Sequence, residues 1–191
     1  MCHKLLRDAR FLAFLLRIDQ DIGERTRLAG CRICGGVLHG AAYPRKPRGG
    51  PAELDPKFDR RLSFCCAKRD CRRRTTPPSV RFLGRRVYLG AVVVVISAML
   101  HGVTPPRLDK LKELVGVSPR TVARWRDWWR EAFTESAFWK ANQGRFVPPA
   151  ARERLPLSAL ERFAGAERDR LLLMLRFLAP ITTTSGGPMA F

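Results

Sequence analysis

Five cysteines between residues 31 and 71 carry the clearest chemistry of this chain. Cys31-Arg-Ile-Cys34 is a C-x2-C pair and Cys66-Ala-Lys-Arg-Asp-Cys71 is a C-x4-C pair. A tight turn that presents two sulfurs is a knuckle, and two such knuckles can close a tetrahedral thiolate site of the kind zinc occupies. Cys31, Cys34 and Cys71 are clear ligand candidates, while Cys65 and Cys66 compete for the fourth place. Alternation along a strand puts Cys66 on the side of Leu62 and Phe64, and its spacing to Cys71 is the shorter, so Cys66 is the expected ligand and Cys65 its neighbour on the other face. His39, five residues past the first knuckle, reads as a surface residue. Four protein ligands leave no open position for water, so the expected Zn2+ is structural, and folding of the segment should depend on it.

A second constellation runs from Leu108 to Trp129. The spacing predicts a helix with Leu108, Leu111 and Leu114 inside, a break at Gly116, and Val117 buried in the turn. A second helix then starts with Ser118 at its N-cap and Pro119 at its first position. It would bury Val122, Trp125 and Trp129 and turn Arg120, Thr121, Arg124 and Trp128 outward. This is the hydrophobic spacing of a helix-turn-helix, whose second helix enters the DNA major groove. Arg120 and Arg124 stand one turn apart, so both reach base edges or phosphates from one side. Arg107, Lys110, Lys112 and Arg126 would flank the backbone.

Charge supports a polyanionic partner. The 191 residues carry a formal net charge of +19, with 29 Arg against 7 Lys. Arginine matches phosphate and guanine edges by its planar fork, so double-stranded DNA is the expected partner. Lys68, Arg69, Arg72, Arg73 and Arg74 crowd the second knuckle, which would hold them rigidly against phosphates. The loop Tyr43 to Pro51 supplies Arg45, Lys46 and Arg48 among Pro and Gly, loosely like a hook lying in a minor groove, though Gly50 stands where a second Arg is expected.

The elements that must position these residues are mostly helical. Residues 4–18 read as an amphipathic helix with Leu5, Leu12, Leu15 and Leu16 on one face, and 60–66 as a strand in which Arg61, Ser63 and Cys65 face outward. Val87 to Leu100 is the longest apolar run; within Arg85 to Leu100, Val92 to Ile96 would suit a strand, but the length and the exit through His101-Gly102 predict a buried helix over Arg85 to Leu100. Ser158-x-x-Glu161 reads as a capping box, and 167–178 as a helix ended by Pro180. The expected class is mainly α with a small β zinc ribbon, followed by a homeodomain-like helical domain. The divisions fall at 1–27 for the N-terminal helix, 28–84 for the ribbon and basic loop, 85–133 for the helix-turn-helix, 134–181 for C-terminal helices and 182–191 for a disordered tail. No run reaches the length of a membrane span and no cleavable leader is apparent, so a cytoplasmic, nucleoid-associated location with reduced cysteines is expected.

Together, Cys31-x2-Cys34, Cys66-x4-Cys71 and Val115-Gly-Val-Ser-Pro-Arg-Thr-Val-Ala-Arg-Trp125 resemble the zinc-ribbon plus helix-turn-helix front end of bacterial insertion-sequence transposases, and the small standalone proteins encoded beside such elements. The resemblance covers about residues 28–132 and implies recognition of an element end or operator, with a transposase or a second copy of the chain as partner. Transposases of that kind carry three strand-borne carboxylates for two metal ions. Here Glu135, Glu153, Glu161, Glu167 and Asp169 all read as helix-surface charges or caps, so no catalytic residue, small-molecule substrate or membrane is expected. The competing classes are a metal-dependent nuclease or transposase fragment needing a catalytic partner, an RNA-binding zinc-ribbon protein, and a zinc-stapled protein-interaction module.

Overall fold

The computed structural model describes residues 3–45, 55–83, 88–99, 113 and 116–183. The chain is mainly helical with small antiparallel sheets. Its helices are α1 (Ala9–Leu28), α2 (Gly90–Met99), α3 (Pro119–Arg130), α4 (Ala132–Glu135), α5 (Ala137–Asn142), α6 (Leu157–Leu160) and α7 (Glu167–Leu178). Its strands are β1 (Leu38–Gly40), β2 (Tyr43–Pro44), β3 (Arg60–Arg61), β4 (Phe64–Cys66), β5 (Arg74–Thr75), β6 (Phe82–Leu83) and β7 (Tyr88–Leu89). No helix among the described residues is long and apolar enough to cross a membrane.

The apolar run folds as a helix from Gly90 to Met99, while Tyr88–Leu89, expected inside that helix, form β7 paired with β6. Ala91 to Ala98 of α2 are all buried, which is why its sequence is apolar on every side rather than striped. α3, α6, α7 and β6 pack around it. One cluster of buried side chains runs from Leu6 and Phe11 through Val92–Ile96 and Trp125 to Leu178 and Ile181. Arg168 of α7 reaches back over the Phe14 ring of α1 at 5.4 Å.

α1 starts five residues later and ends ten residues later than the 4–18 that the sequence periodicity indicates, and His3–Arg7 ahead of it form a 3-10 turn. Asp8 caps its start, accepting from the Arg10 and Phe11 amides. The helix continues past the polar residues after Arg17 because two of its positions are packing contacts. Asp19 is buried in a charge pair, and a Cβ at Gly23 would stand 2.8 Å from Leu62 and 3.7 Å from the Phe64 ring. Glycine there lets α1 lie directly on the strand that leads to Cys66. The helix stops where Gly30 turns to φ +74.

Residues 60–66 are not one strand. β3 pairs with β2, while β4 joins β1 and β5 in a three-stranded sheet ordered β1-β4-β5. Arg61 and Ser63, expected outside, are buried. The far face is covered by residues 75–79: Arg61 donates to the Pro77 carbonyl at 2.6 Å, and Ser63 contacts Thr76 at 3.3 Å. One other expectation also fails. Ser158 lies inside α6 and donates to the Ala151 carbonyl at 2.6 Å instead of capping a helix. The 182–191 stretch was expected to be disordered from its first residue, yet the Thr182 hydroxyl accepts from the Ser79 amide at 2.9 Å; residues 184–191 lie outside the described residues.

Candidate metal centre and basic surfaces

The first knuckle is made by backbone hydrogen bonds. The Gly35 amide donates to the Cys31 carbonyl at 2.8 Å, and the Cys31 amide donates to the Gly36 carbonyl at 2.9 Å. Gly30 and Gly35 both have φ near +70, the region glycine enters without a Cβ clash. At Gly30 a Cβ would also stand 3.1 Å from the Gly35 oxygen. Gly30→Ala is therefore expected to cost about 1–2 kcal/mol, since an L-residue is strained there, and to appear as a lowered Tm in thermal unfolding.

The second knuckle leaves β4 and returns on β5. The Cys71 and Arg72 amides both donate to the Lys68 carbonyl, at 3.1 and 3.0 Å, with Arg72 at φ +44. Lys68 Nζ donates to the Cys34 carbonyl at 3.1 Å and ties the two knuckles together.

Cys31, Cys34, Cys66 and Cys71 converge, with their Sγ atoms all within 4.8 Å of one another. Cys31 and Cys71 sulfurs are 3.7 Å apart, and those of Cys34 and Cys66 are 3.5 Å apart. A disulfide needs ~2.05 Å. Four thiolates around a tetrahedral cation at ~2.3 Å stand ~3.8 Å from each other, so the cluster could hold a metal ion. The register decides the fourth position: Cys66 lies opposite Leu38 on the buried face, whereas Cys65 lies opposite exposed His39 and bonds the Arg72 carbonyl.

The four thiols are not equivalent. Donation from the Ile33 and Cys34 amides pulls the Cys31 thiol down to about 6, while burial pushes Cys66 up to about 12. Of the two, Cys31 would therefore supply a thiolate to a cation more readily than Cys66.

Lys68, Arg69, Arg72, Arg73 and Arg74 are all exposed on this knuckle, and none is held in an ion pair among the described residues. Tyr43 joins one further charge, that of Arg45, to the Arg74 end of this group. The Arg45 and Arg74 guanidiniums stand over its ring, 5.1 and 5.5 Å from the centroid. Tyr43 thus brings the start of the basic loop to the exit of the knuckle, a role that its isolated place in the sequence does not announce. Lys46 and Arg48 lie outside the described residues.

α3 starts as expected. Ser118 caps it by accepting from the Thr121 amide, Pro119 follows, Gly116 takes φ +63 and Val117 is buried. Arg120 and Arg124 are exposed, Thr121 and Arg126 are half-buried, and Arg124 donates to Thr121 Oγ1 at 3.3 Å. Exposed Asp127 follows Arg124 by three residues, so the outward face is not uniformly cationic. Trp128 is not on that face. It is 5% exposed, with its ring 4.7 Å from Trp129 and 5.2 Å from Phe133. The turn into α4 brings Phe133 back against α3 and widens the buried stripe by one position. Trp128 is core and cannot contact DNA from there. The preceding helix expected at 108–114, with Arg107, Lys110 and Lys112, lies outside the described residues apart from exposed Glu113.

The carboxylates sit as surface partners. Glu135 pairs with Lys140 at 2.7 Å, Glu161 with Arg154 at 2.9 Å, and Asp169 accepts from the Ala166 amide. The buried network around Asp19 had no sequence signal. Asp19 receives Arg81 Nε at 2.8 Å, the Ser79 hydroxyl at 2.6 Å and the Val80 amide at 2.8 Å, and Arg81 donates onward to the Phe58 and Arg60 carbonyls.

No protein-family model, curated protein or solved structure matches the chain.

Proposed function

We propose that the chain is a zinc-stapled, sequence-selective DNA-binding protein, acting as an accessory factor of a mobile element or as a transcriptional regulator. One observation carries the reading: the four converging thiols share their second knuckle with five exposed cations that form no ion pair among the described residues. An all-thiolate tetrahedral set suits zinc among biological cations, and its closed shell makes the metal structural. In this reading residues 31–75 form a zinc ribbon. Its second knuckle presents Lys68, Arg69, Arg72, Arg73 and Arg74 to phosphates, which set position without reading sequence.

Base reading falls to α3 as the recognition helix of a helix-turn-helix. Arg120 and Arg124, on its solvent face, are the residues placed to meet guanine edges, and Thr121 holds Arg124 in position. The resemblance to insertion-sequence transposases suggests the end of a mobile element as the site.

Arg124→Ala is expected to weaken binding to the preferred site about tenfold or more while leaving non-specific duplex affinity nearly unchanged. Site selection from a random duplex pool, followed by fluorescence anisotropy on selected and scrambled duplexes, measures both. Equal losses on the two duplexes would reduce Arg124 to a phosphate contact. Tighter binding to single-stranded RNA than to any duplex would replace the DNA reading with an RNA one.

A further inference from the structure

A pocket of about 460 Å³ opens between α5, the turn at residues 143–147 and α7. It shares no residue with the metal centre, the knuckle cations or the outward face of α3. Its floor is aromatic. Phe138, Phe163 and Phe177 are half-buried there and Phe146 is buried. The Phe138 and Phe177 centroids are 5.0 Å apart, and Phe146 stands edge-on to Phe177 at 5.2 Å.

The rim of the same pocket is cationic. Arg145, Arg162 and Arg176 line it, all exposed, and no carboxylate is among its lining residues. None of the three is in an ion pair among the described residues; Arg145 makes one long bond of 3.4 Å to Asn142. Three guanidiniums lining one opening with no carboxylate beside them give it a positive potential that favours an anion. The lining therefore matches a ligand that joins a flat apolar body to a compact anion.

We propose that this pocket binds one nucleotide, with its base against the phenylalanine floor and its phosphate at the arginine rim. Aromatic side chains accept any base by its π-face, and arginine forks match phosphate oxygens. The volume suits a single nucleotide rather than a length of peptide. Several guanidiniums around one mouth fit the several oxygens of a phosphate better than the two of a carboxylate. The nucleotide is either free or an unpaired residue at a DNA end, and the two sources share this chemistry. The site does not depend on the duplex reading above.

Calorimetric titration of the full-length, zinc-loaded chain with deoxyadenosine 5′-monophosphate tests it. Saturable binding is expected, weaker by about tenfold or more for deoxyadenosine, for inorganic phosphate and for the doubly substituted R162A/R176A chain, because each lacks one half of the match. Both arginines are exposed, so that variant should unfold at the same temperature as the parent. Duplexes with blunt ends and with 5′ single-stranded ends separate the sources. A preference for the single-stranded end that vanishes in R162A/R176A identifies a DNA end, and arginine-dependent mononucleotide binding without that preference identifies a free nucleotide. Absence of saturable binding by either probe, binding that R162A/R176A leaves intact, or tighter arginine-dependent binding of an acidic aromatic peptide would overturn the proposal. Blunt-duplex affinity, read in the same series, separates the two accounts. Its loss with nucleotide binding retained defeats only the duplex reading, and the reverse defeats only the pocket.

Discussion

Cys66→Ser is expected to abolish stoichiometric zinc binding and to unfold the segment from Cys31 to Thr75, whereas Cys65→Ser should do neither. Cys66 is wholly buried and its sulfur is 3.5 Å from that of Cys34; Cys65 points to the opposite face beside Arg72. The magnitude follows from how little else holds the segment. Among the described residues its buried cluster contains Leu38 and Phe64 besides the cysteines, with Cys34 and Cys71 partly buried against it, and Phe58 is a further buried apolar side chain of the segment. Three such side chains contribute about 4–9 kcal/mol. Ordering even ten residues of backbone costs about 10–20 kcal/mol. Packing of Phe64 and Leu62 on Gly23 narrows that gap without closing it. A structural zinc, worth about 10–16 kcal/mol in small peptide sites, is of the right size to decide the outcome. Zinc content by native mass spectrometry and amide exchange over residues 31–75 check the pair of variants. Full zinc retention in Cys66→Ser would remove it from the ligand set. Chelation should reproduce the Cys66→Ser result. Acid should too, because protons compete for the thiolates and the metal leaves as pH falls.

Asp19→Ala is expected to cost about 3–5 kcal/mol, because it leaves the Arg81 guanidinium buried without its counter-charge. Both side chains of this pair are 2% exposed. Arg81 would keep its bonds to the Phe58 and Arg60 carbonyls, but the Ser79 hydroxyl and the Val80 amide would lose their acceptor. For a chain of this size the loss corresponds to a fall in Tm of about 10 °C. Replacing both partners, as Asp19→Leu with Arg81→Met, should cost less than either single change, since no buried charge is then stranded. Thermal unfolding of the two single variants and the double variant measures the coupling. Additive losses would show that the pair does not act as a unit. The network ties α1 to β3 and to the loop ahead of β6, so Asp19→Ala should also loosen the cysteine segment without touching a ligand.

The cysteine cluster was legible because ligand chemistry is local. Each knuckle is written within six residues, and strand alternation together with the spacing to Cys71 separates Cys66 from Cys65. The Ser118-Pro119 start of α3 is legible for the same reason, as is the choice of helix for Gly90–Met99, where length and flanking residues outweigh β-branching. What escaped depends on partners far along the chain. Asp19 looks like a polar residue on a helix that is running out, because Ser79 and Arg81 lie sixty positions away. Gly23 looks like a helix breaker until Leu62 and Phe64 are packed against it. Trp128 follows Arg120 and Arg124 at helical spacing, but Phe133, returning across the α3–α4 turn, packs against it and it is buried. Ser158 and Thr182 carry the right residue types for a cap and a tail, yet tertiary contacts to Ala151 and Ser79 use them otherwise.

The most direct test of the whole account is duplex-DNA affinity of the zinc-loaded chain, measured by anisotropy across a salt series before and after chelation. Log affinity should fall linearly with log salt, drop about tenfold or more on chelation, and recover when zinc is returned. Duplex affinity that is undetectable at low salt, or that chelation leaves unchanged, would contradict it.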